Sequence, residues 1–174
     1  MPGCKLRLSP RRDRAEPAKR IAALSSVHIA LAIEAGKIND RRARHAMQSA
    51  LEARRERVVR YWFDRVTPVE LVKLEGTKLE LRDQAIRYGF ARAEPTDYYV
   101  DFLTADGNRV GDSLALEPRG DGLEVVLPEG ALDAARDYLV IRVIASRDLL
   151  RPTRAFAIHL RIVGDKLTVV GLRH

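Results

Sequence analysis

Four histidines, one cysteine and a scatter of carboxylates are the side chains from which this chain could build a reactive centre. Their spacing argues against one. Cys4 is alone, which excludes an intrachain disulfide and a cysteine-based metal cluster. His28 lies in the apolar run "VHIALAI" and reads as a core or subunit-contact histidine, and His45 sits among arginines. His159 and His174 flank the segment "LRIVGDKLTVVGLR". A two-residue turn at Gly164-Asp165 would put Val163 opposite Lys166, His159 opposite Val170 and Ala155 opposite His174. The two imidazoles would then stand about 13 Å apart at ~3.3 Å per residue, too far to share a metal. No metal site is expected.

"DGNRVGDSLALE" has the outline of a calcium loop. Asp106, Asn108, Gly111 and Glu117 fall at positions one, three, six and twelve. Position five is Val110, which offers no side-chain oxygen, so an acidic hairpin loop is the better account. Arg119-Gly120-Asp121 forms the tripeptide of cell-adhesion loops, but Gly and Asp are also what turns are made of. No nucleophile elbow, P-loop or zinc-protease helix motif occurs. The residues therefore point to a protein without a catalytic motif or cofactor, with enzymatic activity left open.

Arginine carries the remaining chemistry. Residues 1–20 contribute a formal +5, residues 39–60 +4, residues 21–38 nothing and residues 61–174 −2, within a total of +7. The basicity belongs to the N-terminal third. Arg41, Arg44, Arg55 and Arg57 are the candidate partner-binding residues there. Such a helix can meet an acidic protein surface or a phosphate backbone, but no helix-turn-helix, zinc finger or RNA-binding strand motif supports nucleic acid. Arg142 differs, because it interrupts an otherwise apolar strand. A buried Arg needs a counter-ion or a polar cavity, so Arg142 and His159 mark a possible pocket.

The elements that must position these residues follow from periodicity. Residues 1–15 are Pro- and Arg-rich and read as a mobile basic tail. A first helix is expected from Glu16 to Ala35, with Pro17 in its first turn, Gly36 after its end and an all-apolar, buried centre. Asn39 or Asp40 can cap a second helix running to Phe63 or Val66. Its apolar line is Ala43, Met47, Ala50, Leu51, Val58, Tyr61 and Trp62, and the short "GKIND" link makes residues 16–66 a helical hairpin.

Pro68 ends helix formation, and residues 67–174 alternate with period two. Hairpins are expected at Gly76-Thr77 and Gly164-Asp165, with a strand at "DYYVDFLT" and another at "GLEVVLP". "YLVIRVIAS" is apolar on both faces and should be a central strand. Tyr61, Trp62 and Val66 fall where the helix end meets the first strand and read as a structural seam. The fold class is α+β: a helical hairpin, then roughly six to eight antiparallel strands, with a sandwich favoured and a curved cone sheet as the alternative.

Two fold-level resemblances fit these segments. "VVLPEGALDAARDYLVIRVIAS" resembles the strand E to strand F passage of an Ig-like or fibronectin type III sandwich, in which Tyr138 would take the tyrosine-corner position. The helix-then-meander order and "HLRIVGDKLTVVGLRH" are similar to the α+β cone of the nuclear-transport-factor and cystatin-like superfamily, whose strands curl round a pocket. Neither resemblance places functional residues on named positions.

No stretch reaches the roughly 18 apolar residues of a membrane span. No signal peptide is visible, so a cytoplasmic location is the default, with envelope or export open for a piece of a larger bacterial-type protein. The expected function is a non-catalytic binding or assembly module. Its partner would be another protein, the rest of a larger polypeptide, or a second copy. A cone-type ligand-binding or enzyme domain around Arg142 is the first alternative, and nucleic-acid binding by the basic helix the second.

Overall fold

The computed structural model describes residues 16–147, 153–164 and 166–174. The expected basic tail, and Asp165 of the last turn, lie outside the described residues. The architecture is α+β: helices first, then two antiparallel sheets packed face to face and not closed into a barrel.

The first helix is two. Helix α1 (Glu16–Ala23) and helix α2 (Ser26–Ala35) are separated at Leu24-Ser25. Ser25 causes the break, because its hydroxyl accepts from His28 N at 3.2 Å while His28 Nδ1 accepts from Ser25 N at 3.1 Å. This is a reciprocal cap in which His takes the place usually held by Glu or Gln. His28 is exposed, so it is a capping residue and not a core one. Helix α2 ends through Gly36 in right-handed geometry, and the left-handed residue is Lys37 (φ 52°). Helix α3 (Arg41–Phe63) begins where expected, with Asp40 accepting from Arg42 N at 2.7 Å and Ala43 N at 3.3 Å.

The strands are β1 (Val69–Glu75), β2 (Lys78–Asp83), β3 (Asp97–Thr104), β4 (Leu114–Leu116), β5 (Gly122–Val126), β6 (Tyr138–Ser146), β7 (Phe156–Val163) and β8 (Lys166–Arg173). Short helices α4 (Gln84–Arg87) and α5 (Ala131–Ala135) carry the chain between sheets. One sheet has the order β1-β2-β5 and the other β4-β3-β6-β7-β8. Strand β6 is internal, as its apolar run requires. Val69, Leu79, Leu81, Leu123 and Val125 from the small sheet meet Tyr98, Val100, Phe102, Leu139, Ile141, Ile158 and Leu160 from the large one in a single apolar core. Two facing sheets make a sandwich and not a single curved cone.

The last hairpin pairs Val163 with Lys166, but a register shift follows between His159 and Leu160. His159 therefore stands opposite Gly171, not Val170, and Ala157 opposite Arg173. A bulge inserts one unpaired residue and cannot be read from alternation alone.

The helical layer joins the sandwich through a second apolar cluster of Ala18, Ala22, Val59, Phe63 and Ala85, with Trp62 and Phe90 packed beside it. Val66 is buried and Trp62 half-buried, whereas Tyr61 is 52% exposed. The inward face of α3 is thus Val59, Trp62 and Phe63, turned from the line through Met47, Leu51 and Tyr61. Below it, Thr67 stitches the layers. Its N–H donates to Arg154 O at 2.8 Å, and its hydroxyl meets Thr153 Oγ1 at 2.7 Å and accepts from Ala145 N at 3.0 Å.

Lys19 closes the same seam from α1. It is buried, donates to Val69 O at 3.0 Å and stands 5.4 Å above the Phe156 ring. The His174 ring lies 4.6 Å from that of Phe156. Burial, then the Lys19 charge, pushes the His174 imidazole down from its ordinary 6.5 to about 3. The folded state holds it neutral, so its contribution to stability is complete above pH 6.5 and is lost as pH falls through about 3. His174→Phe is expected to flatten the fall in the urea midpoint between about pH 6 and pH 4. An unchanged slope in that window would show that His174 does not carry it.

Candidate functional site

Helix α2 and the first half of α3 stand away from the sandwich. Ile29 and Ile33 are the two buried residues of α2, which packs on α3. The expectation of a mostly buried first helix fails here. Val27 (65%) and Leu31 (57%) are exposed one turn apart on α2, Leu24 (47%) is exposed in the link before it, and Met47 and Leu51 are exposed on α3. An apolar run is ordinarily driven inward by about 25 cal/mol per Å². Here the topology projects it into solvent.

The arginines of α3 do not all face outward. Arg41, Arg44 and Arg57 are exposed, with Arg44 donating to Ile38 O at 2.9 Å and Arg57 to Ala53 O at 3.4 Å. Arg55 folds back instead. It donates to Ala22 O at 2.8 Å and Ile21 O at 3.3 Å, and its guanidinium lies 5.3 Å over the Phe90 ring. It thus binds carbonyls at the end of α1, where a cation also complements the helix dipole. Arg60 is held by Glu56 at 2.9 Å, as their spacing implies.

No family model, curated protein or solved structure matches this chain. Function must therefore be argued from the surfaces themselves.

Arg142 and His159 lie on the outer face of the large sheet, which meets solvent. A groove of about 490 Å³ lies elsewhere, between the edges formed by β5 and β4. Its walls include Val72, Glu80, Arg82, Leu114, Arg119 and Glu124, a mixed-charge lining without a nucleophile–base pair. The Arg119–Asp121 tripeptide is the turn at this rim. Arg119 and Gly122 exchange backbone bonds at 2.9 and 3.1 Å, and Asp121 O accepts from Asp83 N at 2.8 Å, so the turn is pinned to the sheet. The segment tested as a calcium loop is a tight turn, in which Thr104 N donates to Asn108 O at 2.9 Å. Among the described residues, no three His, Cys, Asp or Glu side chains gather into a possible metal site.

Sequence reading missed the most buried charged cluster. Asp83 ends β2 and caps α4, accepting from Ala85 N at 2.7 Å and Ile86 N at 3.1 Å. Its other oxygen accepts from Tyr98 Oη at 2.7 Å and from Arg147 Nη2. Burial first, and then the neighbouring Asp83 charge, pushes the Tyr98 phenol up, so it remains a donor. "RDQAIR" does carry the signal of an Asp cap, but its long-range partners leave no local trace. This cluster joins both sheets through one buried carboxylate, so its role is structural.

Proposed function

We propose that this chain is a non-catalytic binding and assembly module, and that the α2–α3 hairpin is the surface that engages a protein partner. The observation that carries this reading is the exposure of Val27 and Leu31 on α2 and of Leu24 just before it. Such residues cost free energy in water and repay it when a partner covers them. Arg41, Arg44 and Arg57, exposed on α3 of the same hairpin, favour a partner whose contact patch carries carboxylates as well as apolar groups. Arg55 serves the hairpin's own structure.

For the β region we infer an Ig-like sandwich. In support, β1-β2-β5 facing β4-β3-β6-β7 is the order that strands A-B-E and C′-C-F-G take in such folds, with β8 added at the edge. Strands β5 and β6 then occupy the E and F positions. Tyr138 departs from the tyrosine corner, since its hydroxyl meets His159 Nδ1 at 3.0 Å.

The double substitution Val27→Asp with Leu31→Asp tests the hairpin. Both side chains are exposed, so the melting temperature should move by no more than a substitution worth about 0.5 kcal/mol allows. Association, followed by sedimentation velocity and by recovery of a tagged chain, should be lost. Full association by the double variant contradicts the proposal. Association that fades steeply with salt and needs the arginines alone would return the nucleic-acid reading.

A further inference from the structure

We propose that the outer face of the five-stranded sheet holds a phosphate-binding site, formed by Arg142, Arg173 and His159 above a floor of Ala157 and Gly171. This site is separate from the hairpin and does not depend on its role.

Register brings these residues together. Arg142 on β6 stands opposite Ala157 on β7, and Ala157 stands opposite Arg173 on β8. The two arginines thus flank one small residue in a single row, about 10 Å apart by two strand spacings. One row further along the same face, His159 stands opposite Gly171. A Cβ added at Gly171 would meet the His159 Cβ and ring at 3.7–3.9 Å, in ordinary contact, so glycine leaves room there without being demanded by the backbone. Ala157 and Gly171 together leave a shallow dip between longer cationic side chains.

Among the described residues, the charges on this face are unbalanced. Asp101 is the acid opposite Arg142 on β3, but its carboxylate already accepts from Ser113 Oγ at 2.6 Å and pairs with Arg109 at 3.3 Å. Among the described residues, Arg142 makes no hydrogen bond or ion pair, although it is half-buried. A half-buried guanidinium without a counter-ion forfeits solvation and gains nothing in exchange. An anion from outside the chain would supply what is missing.

The donor set selects the anion. Two guanidinium forks and an imidazole offer three donor groups. The Tyr138 hydroxyl lies 3.0 Å from His159 Nδ1, and when it donates there, Nε2 remains as the ring's outward N–H. A phosphate presents three acceptor oxygens and up to two charges to these donors, whereas a carboxylate presents two oxygens and one charge. A monoester on a larger ligand and free phosphate share this chemistry.

Titration of the whole chain with inorganic phosphate, phenyl phosphate and acetate at constant ionic strength tests the site. Side-chain resonances of Arg142, Arg173 and His159 are followed by NMR. Saturable shifts of these three with phosphate but not with acetate are expected. A response to phenyl phosphate alone would assign the site to esters, and an equal response to both phosphates would assign it to the free anion. Arg142→Gln and Arg173→Gln should each weaken binding about tenfold or more, with the fold retained. Ala157→Glu should abolish the phosphate response and raise the melting temperature, because an internal carboxylate would then stand between the two arginines. The proposal is overturned if acetate shifts the same resonances as strongly, if neither phosphate produces saturable shifts, or if Ala157→Glu leaves phosphate binding intact.

Discussion

Asp83→Ala should destabilise the protein by about 3–5 kcal/mol, the cost of removing one partner from a buried ion pair. Asp83 is fully buried and joins β2, α4, β3 and the end of β6 through one carboxylate. Its removal takes the cap from α4 and strands the Arg147 guanidinium, whose Nε and Nη1 are already buried without a hydrogen-bond partner among the described residues. Urea unfolding should show a lower midpoint with an unchanged slope. Asp121→Ala is the control, because the Arg82–Asp121 pair at 3.6 Å is two-fifths exposed and such pairs are worth roughly 0–1 kcal/mol. Replacing Asp83 and Arg147 together by apolar residues should cost less than Asp83→Ala alone, since no charge is then left behind. Equal losses for Asp83→Ala and Asp121→Ala would show that the cluster does not hold the sheets together.

Phe63→Ala is the second large effect, also about 3–5 kcal/mol, from lost burial plus the cavity left behind. Phe63 is 2% exposed and meets the edge of Phe90 at 5.8 Å with the rings 86° apart. It ties α3 to the layer that contains Ala18, Ala22 and Ala85. Trp62→Ala should cost less, because Trp62 is half-buried, and Tyr61→Ala should stay within about 0.5 kcal/mol. Thermal denaturation of the three variants orders them. A Tyr61 variant as damaged as the Phe63 variant would place the inward face of α3 along the wrong line.

The aromatic run Tyr61-Trp62-Phe63 shows how far the sequence could be read. That a helix ends and a strand begins here was legible, because Pro68 stops the helix and the period changes from 3.6 to two. Which residue enters the seam was not. Three adjacent aromatics span most of a helical turn, and only the docking angle of α3 decides among them. The strands were more transparent. Asp40 as a cap, the Gly76-Thr77 turn and the doubly apolar "YLVIRVIAS" each rest on a local rule, and each element stands where expected.

The candidate surfaces were less legible for a physical reason. An apolar run such as "VHIALAI" predicts burial only when a layer exists to cover it, and the sandwich covers α1 and the end of α3 but not α2. Arg55 looks like its neighbours in sequence, yet it alone reaches back to the carbonyls of α1, 33 and 34 positions away. Tyr98 and Arg147 come to Asp83 across 15 and 64 positions. The row of Arg142, Ala157 and Arg173 depends on a bulge that alternation does not encode.

We propose that the α2–α3 hairpin meets a protein partner. Site-specific photo-crosslinking in native extract tests it most directly, with the reactive group placed in turn at Val27, Leu31 and Met47, and at Val126 on the small sheet as the control. All four positions are exposed, so none should disturb the fold. The account predicts one discrete protein adduct shared by the three hairpin positions, absent at Val126 and lost when Arg41, Arg44 and Arg57 are replaced by Glu. Adducts that form at Val126 as readily as at Val27, or none at any hairpin position, would contradict it.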